Sequence, residues 1–368
     1  MPVLAGTANT FVGDYLQYWT ESTGAWTNIT EPTTALTRGQ GYGLWPNDEK
    51  RGTYTFSGIP NTGNINKSIT YTTVTGKDFD GANLLGNPYP SSIDWDEVND
   101  VYGAVYYWDG DAVGGAAYVA YPATGEYGTG SQYVPPLQGF FIVVPDNDPS
   151  YFAFTNAMRT HSGATGYYKN EKSLPDGIML YASNGSNHDK LLIRLNDEAT
   201  EGMDHQSDAW KFPSNTNGIA QLWAVCPDGK LSIDVRPEPG IIQLGFSNNQ
   251  AGFNSIGAAE IAGINTAVIE DTKTNTFHDL SKSAYEFTWD PLTDDEKRFK
   301  LHLNAVGIEE TPINESNLLI YAANGQIFVK NVNDIETDGR PSIQYVTVSD
   351  VMGRVVLQKE ISGNGIIS

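Results

Sequence analysis

Residues 230–236 read KLSIDVR, and polar and apolar side chains alternate along them without a break. Residues 298–304, RFKLHLN, show the same alternation. Because successive side chains of a strand point to opposite faces of a sheet, each stretch predicts a β-strand with one apolar and one solvent face, and His302 falls on the solvent face. Residues 272–275, TKTN, separate two short apolar runs and predict a hairpin tip. The pattern predicts an all-β chain of tandem β-sandwich domains, jelly-roll or Ig-like, with mostly antiparallel sheets.

The composition agrees with strands joined by tight turns. Of 368 residues, 39% are hydrophobic and 18% charged, and glycine (38) and tyrosine (20) are frequent, whereas a disordered acidic tail would be charge-rich and poor in aromatics. The formal net charge of −22 repels phosphate backbones and anionic lipid, which argues against nucleic-acid binding. No apolar run approaches the ~20 residues of a membrane-spanning helix, so we expect no membrane insertion. The single cysteine, Cys226, cannot form an intrachain disulfide, and its apolar neighbours predict a buried, inert thiol.

An internal repeat fills the first part of the chain. Residues 38–45, RGQGYGLW, align with residues 136–143, PLQGFFIV, and YTFS at 54–57 aligns with FAFT at 152–155 at the same spacing. A tyrosine-tryptophan pair that ends at Trp19 recurs at Trp108 with a shorter spacing. We therefore expect two copies of one β unit, with equivalent strands in each. The aligned aromatic residues should occupy matching buried positions, namely Phe56 with Phe154 and Trp19 with Trp108.

These patterns divide the chain into three predicted domains. Residues 1–160 form a β domain of two repeated units, 1–62 and 63–160, of which the first is partial; residues 165–305 form a second β-sandwich, and residues 306–368 a third domain. The polar stretch GIEETP at 307–312 ends in proline and is typical of an interdomain connector. The first copy lacks a counterpart of the NLLGNPYP block at 83–90, and no signal peptide precedes it. We therefore expect the native N-terminus to lie upstream.

No motif predicts a catalytic residue. The five histidines are far apart without zinc-site spacing, and no serine lies in a GxSxG elbow. The pairs Asp94 with Asp96 and Asp109 with Asp111 have a spacing on a strand that a glycosidase could use, but such spacing is common by chance. Helix capping is the expected role of Asp94. We therefore expect this part of the protein not to be an enzyme.

Two kinds of ligand site remain as candidates. Turns with oxygen ligands predict calcium sites, although aspartates in turns also bond the local backbone without metal; these residues are Asp109, Asp111, Asp146 and Asp148. Residues 116–133 form a tyrosine- and glycine-rich loop with no core periodicity, and its rings are either exposed for a glycan or protein partner or part of the core. The candidate ligand-binding residues in this loop are Tyr118, Tyr121, Tyr127 and Tyr133.

Several blocks resemble parts of large surface proteins. The stretches LLIRLNDEAT at 191–200, DAWK at 208–211 and DGKLSI at 228–233 are similar to the β-sandwich that precedes sorting domains in cargo of the type IX secretion system. The blocks GNPYP at 86–90 and PPLQGFF at 135–141 resemble modules of the same proteins. Residues 346–356, VTVSDVMGRVV, resemble the hairpin of the type A C-terminal sorting domain, whereas IYAANG at 320–325 replaces its usual YPNP opening.

The resemblance implies export across a Gram-negative outer membrane by the secretion machinery, and an extracellular or outer-membrane-surface location. In residues 306–368 we count five candidate strands of the roughly seven in such a sandwich, so we expect a truncated sorting domain. The leading hypothesis is a non-catalytic module for display, adhesion, or glycan or protein binding. The alternative is an accessory region of a secreted glycan-degrading enzyme whose catalytic domain lies upstream.

Overall fold

Strands account for nearly all regular structure in the computed structural model, which is all-β as the sequence predicts. Side chains and backbone are described for residues 6–7, 11, 13–47, 54–73, 80–109, 117–125, 127–162, 173–185, 188–214 and 216–303, and the backbone alone for 318–323, 326–331, 343–349, 355–362 and 365–367. Helical elements in these ranges are short 3₁₀ turns at Glu21–Thr23, Trp95–Glu97 and Asp100–Tyr102. No helix in the described part is long and apolar enough to cross a membrane.

The strands are, in chain order, β1 (Tyr15–Thr20), β2 (Ala25–Asn28), β3 (Gly43–Trp45), β4 (Ile65–Ser68), β5 (Ala82–Gly86), β6 (Ser92–Asp94), β7 (Val105–Asp109), β8 (Ala117–Tyr121), β9 (Tyr133–Val134), β10 (Gly139–Val143), β11 (Tyr151–Phe154), β12 (Arg159–Thr160), β13 (Gly177–Ser183), β14 (His188–Leu195), β15 (Ala209–Trp210), β16 (Gln221–Cys226), β17 (Gly229–Arg236), β18 (Ile241–Ser247), β19 (Gly252–Ala262), β20 (Ala267–Asp271), β21 (Thr276–Asp279), β22 (Tyr285–Trp289), β23 (Phe299–Leu303), β24 (Leu318–Ala323), β25 (Gln326–Asn331), β26 (Ile343–Ser349), β27 (Val355–Ser362) and β28 (Gly365–Ile367).

The sheets of the first part show the same strand order twice. One sheet has the order β2-β1-β3, and the other, β5-β10-β7-β8, contains the matching order β8-β7-β10. The register matches as well, because Gln17 lies opposite Gly43 in the first sheet and Tyr106 opposite Phe141 in the second. These are the positions that the sequence alignment makes equivalent.

Burial differs between the two copies. Phe154 is fully buried, but Phe56 is only half-buried. Trp19 is half-buried, and Trp108 keeps 36% of its surface exposed. The expectation of matching buried positions is therefore wrong for both pairs. The two tryptophans are not buried because they line a groove, described below, that is open to solvent.

Small sheets complete this part of the chain. β4 pairs with β11, and β6 lies between β12 and β9. The predicted cap is confirmed: the Asp94 carboxylate accepts a hydrogen bond from the backbone N–H of Asp96 at the start of a 3₁₀ turn. The core below these strands contains the stacked rings of Trp95 and Phe152, both buried.

Strands β13 to β23 form one nearly closed sheet. Its order is β21-β20-β23-β18-β16-β17-β14-β13-β19-β22, with β15 paired to β17; β14 and β17 run parallel, and the other described pairs are antiparallel. The two ends approach each other, since the Tyr285 hydroxyl of β22 donates to Asp271 of β20 at 2.9 Å. β20 and β21 form the hairpin predicted around residues 272–275. The enclosed core includes Phe246, Phe299 and the predicted buried thiol of Cys226.

The predicted solvent faces of two strands of this sheet are buried. Asp234 and Arg236 of β17 are covered, and the Arg236 guanidinium bonds both Asp234 and the loop residue Glu201. His302 of β23 is 3% exposed, with its Nε2 2.8 Å from a Glu270 carboxylate oxygen. The prediction of a wet face is wrong here because the loop residue Glu201 pairs with Arg236, and Glu270 and Phe277 of neighbouring strands pack against His302.

The outer face of the large sheet packs against β5-β10-β7-β8. A shared cluster joins Tyr106 and Phe141 from the first part to Phe212 and Ile233 from the second. The backbone N–H of Trp210 also donates to the Tyr106 hydroxyl at 3.0 Å. The segments on both sides of the predicted boundary at residues 161–164 thus share one hydrophobic core. Residues 163 and 164 of that boundary lie outside the described residues.

All five strands expected after residue 306 are present. β24, β25 and β28 form one antiparallel sheet, and β26 pairs with β27. The β26–β27 pair carries most of the hairpin that resembles a sorting domain. The turn between them, residues 350–354, lies outside the described residues.

Candidate functional site

A groove of about 740 Å³ opens between the sheet β2-β1-β3 and the sheet β5-β10-β7-β8. We call it the aromatic groove because most of its wall consists of rings from both copies of the repeat. The rings that line the groove belong to Tyr15, Trp19, Trp26, Tyr42, Trp45, Tyr106, Trp108, Tyr118, Phe140, Phe141 and, from the second part of the chain, Phe212.

One wall of the aromatic groove is a single face of the sheet β2-β1-β3. Along β1, Tyr15, Gln17 and Trp19 point to this face, because every second side chain of a strand shares a side. Residues that lie directly opposite each other on two antiparallel strands also share a face. Each of these three residues of β1 therefore has a neighbour on the same wall. Trp45 lies opposite Tyr15, Asn28 opposite Gln17, and Trp26 opposite Trp19. The wall therefore has three rows: aromatic, amide and aromatic.

Phe141 of β10 forms the floor. The ring centroids of Trp19, Trp26 and Tyr118 lie 5.4, 6.1 and 6.1 Å from that of Phe141, all in edge-to-face geometry. Trp108 packs edge-on against Tyr118 at 5.0 Å and forms the rim of the second wall. Edge-to-face contacts restrict ring orientation, so these rings form a preformed surface.

The upper rings of the groove are exposed. Tyr15 and Trp45 leave 69% and 72% of their surface accessible, and Trp26 and Trp108 leave 39% and 36%. Every described tryptophan that is exposed to this extent lies in the aromatic groove. Because tryptophan is a residue that folding normally buries, a concentration of exposed rings at one place indicates a binding surface.

The described lining residues of the groove carry no charge, in a chain whose net charge is −22. Burial raises the pKa of the Tyr118 hydroxyl to about 12, so this ring is also neutral at physiological pH. Gln17 Nε2 donates to Asn28 Oδ1 at 2.6 Å. Gln17 Oε1 and Asn28 Nδ2 have no hydrogen-bond partner among the described residues. The amide row thus offers a ligand the Gln17 Oε1 acceptor and the N–H donors of Asn28 Nδ2.

The four tyrosines predicted from the loop 116–133 do not form one site. Tyr118 lies in the aromatic groove, and Tyr133, half-buried on β9, is not among the described lining residues. Tyr121 is fully buried and donates its hydroxyl proton to Asp96, and Tyr127 is 8% exposed and donates to Glu260. The expectation of accessible rings is wrong for Tyr121 and Tyr127, because both rings fill hydrophobic cores and their hydroxyl groups are paired with carboxylates.

The predicted calcium ligands belong to two turns, of which only the one at residues 146–148 is fully described. Asp146 accepts a hydrogen bond from the backbone N–H of Asp148 at 2.7 Å, which is an ordinary aspartate turn. Asp109 is buried at the end of β7, and Asp111 lies outside the described residues. Within the described ranges, no three His, Cys, Asp or Glu side chains are grouped as a metal site would require. Calcium binding here stays a prediction.

The sequence does not predict Tyr15, Gln17, Trp26 and Trp45 as site residues, and it predicts core positions for Trp19 and Trp108. The available signal was the alternation of Tyr15, Gln17 and Trp19 along one strand. That alternation places these side chains on one face but does not say whether the face is covered, which depends on the second sheet.

A second cavity of about 700 Å³ lies where the large sheet meets the first part of the chain. Trp210 and Trp223 contribute rings, and Lys230 Nζ lies 4.2 Å from the Trp223 ring centroid. The same ammonium group pairs with Glu296 at 2.9 Å. This cavity therefore contains charges that already have protein partners, unlike the aromatic groove.

A known family model matches most of the chain. Residues 2–303 match the family described as a domain of unknown function (DUF8693). The chain belongs to this family. The DUF8693 region ends with β23 and includes both parts of the chain that share the hydrophobic cluster. The family match and the packing therefore both make these two parts a single unit. The aromatic groove lies entirely within the DUF8693 region. No curated protein and no solved structure gives a significant match to the chain.

Proposed function

We propose that this protein is an exported, non-catalytic binding module whose aromatic groove holds neutral glycans. The observation that carries the proposal is the groove itself. It combines exposed tryptophan and tyrosine rings with an amide pair, and its described lining has no charge, although the chain carries −22.

The chemistry of the groove fits a sugar chain. The C–H groups on a pyranose face carry a small positive charge, which complements the negative face of an aromatic ring. The hydroxyl groups at the sugar edge both donate and accept hydrogen bonds, which suits the free acceptor of Gln17 and the free donor of Asn28. A neutral ligand needs no counter-charge in the groove, and an acidic polysaccharide would be repelled by the net charge of the chain.

Export and surface location are parts of the same proposal. They are supported by the resemblance of residues 346–356 to a sorting-domain hairpin, and β26 and β27, which carry most of these residues, are paired strands. The secretion machinery is the partner that this resemblance implies. In a host with type IX secretion, we expect a chain with an added signal peptide and a completed sorting domain to reach the cell surface or medium. Removal of residues 306–368 should leave it in the periplasm, and equal export of both forms would contradict this part.

Glycan binding is tested by affinity gel electrophoresis in four neutral polysaccharides: arabinoxylan, galactomannan, mixed-linkage β-glucan and pullulan. We expect at least one to retard the protein, and Trp45→Ala to reduce the retardation. The matched control is Phe253→Ala, because Phe253 is 58% exposed but lies outside the groove. Failure of all four to retard the protein, or equal retardation of Trp45→Ala, would contradict the proposal. A proline-rich peptide that binds instead would reassign the groove to protein recognition.

A further inference from the structure

The aromatic groove contains two separate ring clusters along β1. Tyr15 and Trp45 form the outer cluster, an open platform with both rings about 70% exposed. Trp19 and Trp26 form the inner cluster, four residues further along β1, which corresponds to ~13 Å at the rise of a strand. One sugar ring does not reach from one cluster to the other.

The inner cluster is enclosed from two sides by equivalent parts of the repeat. Trp19 lies opposite Trp26 on β1 and β2, and Trp108 lies opposite Tyr118 on β7 and β8. Since β7 and β8 are the counterparts of β1 and β2, both copies contribute the same kind of cross-strand ring pair. Phe141 separates the two pairs at the floor. A ligand in the inner cluster therefore meets rings on both sides, whereas the outer cluster offers one surface.

The amide pair lies between the clusters. Gln17 is midway between Tyr15 and Trp19 on the same face of β1, with Asn28 beside it. Gln17 lines the groove, and its Nε2 donates to Asn28 Oδ1 at 2.6 Å. The groove therefore presents an aromatic cluster, an amide pair and a second aromatic cluster in a line. An oligosaccharide has the matching order, because its apolar sugar faces alternate with polar linkages and hydroxyl groups.

We propose that the groove is a two-subsite site for a neutral oligosaccharide chain that lies along β1, with sugar rings on both clusters and hydroxyl groups on the amide row. This inference rests on the proposed glycan binding. It predicts that affinity depends on chain length, because a monosaccharide occupies one cluster and a longer chain occupies both.

The test is isothermal titration calorimetry of the full chain with oligosaccharides of one to six sugars. The xylo-, manno-, cello- or malto-oligosaccharide series is used, according to which polysaccharide binds. The hexasaccharide should bind at least tenfold more tightly than the disaccharide, since each stacked ring contributes about tenfold. Trp45→Ala should remove this gain and leave disaccharide affinity unchanged. Trp26→Ala should weaken every length, and Trp45→Phe should restore much of the gain.

The outcomes separate the two proposals. If monosaccharide and hexasaccharide bind equally, or if Trp45→Ala weakens all lengths by the same factor, glycan binding stands but the two-subsite arrangement is wrong. If no polysaccharide and no oligosaccharide series binds, the proposed function is wrong. Unchanged melting temperatures of Trp45→Ala and Trp26→Ala would establish that the losses are not due to unfolding.

Discussion

Two tryptophans show how differently one residue type is used in this protein. Trp45 leaves 72% of its surface exposed in the aromatic groove, whereas Trp95 is 1% exposed and its indole N–H donates to the Gly103 carbonyl at 3.1 Å. Trp45→Ala should change the free energy of unfolding by less than about 0.5 kcal/mol, but Trp95→Ala should lower it by about 3–5 kcal/mol, because it leaves a cavity in the core. Chemical denaturation measures both. Equal destabilisation would mean that Trp45 is a structural residue.

Asp208 predicts a pH dependence of stability. Burial, together with the charges of Asp234 and Asp204, raises its pKa to about 7, although it accepts hydrogen bonds from the backbone N–H groups of Asp204 and Val235. In the unfolded chain this carboxyl loses its proton near pH 3.8. The folded state therefore binds the proton more tightly, and stability should fall as the pH rises from about 4 to about 7.

The contribution of this carboxyl is on the order of 4 kcal/mol across that interval. Asp208→Asn keeps an oxygen acceptor for the Val235 N–H but removes the titration. Unfolding free energies of both proteins, measured between pH 4 and pH 8, should show a steeper decline for the wild type. Parallel curves would show that Asp208 does not titrate in this range.

At the scale of strands, β3 explains why the groove is open. Gly43 of β3 occupies the position that Phe141 occupies in the second copy, so the first copy has no ring there. A Cβ atom at Gly43 would lie 2.8 Å from the Trp26 ring and would force that ring to move. Gly43→Ala should therefore weaken oligosaccharide binding about tenfold, with a small loss of stability, because the inner cluster is disturbed.

The matched control for this change is Gly240→Ala. Gly240 lies outside the groove, and a Cβ atom there would have no neighbour within 4 Å. Calorimetric titration of both variants compares them directly. Equal affinities would mean that the position of the Trp26 ring does not matter for binding.

Strands were predictable from the sequence because alternation is a local property. The alternating stretch 230–236 lies in β17, the hairpin around 272–275 forms, and all five strands after residue 306 are present. The faces were less predictable. His302 alternates correctly but is buried, and Trp19 and Trp108 line an open groove instead of a core, because burial depends on which distant element covers a face. The aromatic groove could not be predicted for the same reason, since its two walls come from different sheets.

At the scale of the whole molecule, one hydrophobic cluster joins the two parts of the DUF8693 region. Phe212 is 6% exposed, and its ring lies 4.6 Å from Tyr106 and 5.5 Å from Phe141 across this contact. Because the parts share buried surface, residues 1–303 should unfold in one cooperative transition in differential scanning calorimetry. Phe212→Ala should lower the stability of that transition by about 3 kcal/mol. Two transitions, of which only one responds to the substitution, would show that the parts are independent.

The indole N–H signals of the eight tryptophans report whether a neutral oligosaccharide binds in the aromatic groove. Trp19, Trp26, Trp45 and Trp108 line the groove, Trp210 and Trp223 line the second cavity, and Trp95 and Trp289 are buried in two cores. In a two-dimensional NMR titration with the hexasaccharide of the bound series, we expect the Trp26, Trp45 and Trp108 signals to shift. The signals of Trp95, Trp210, Trp223 and Trp289 should stay unchanged. Shifts confined to Trp210 and Trp223, or no shifts at saturating hexasaccharide, would contradict this expectation.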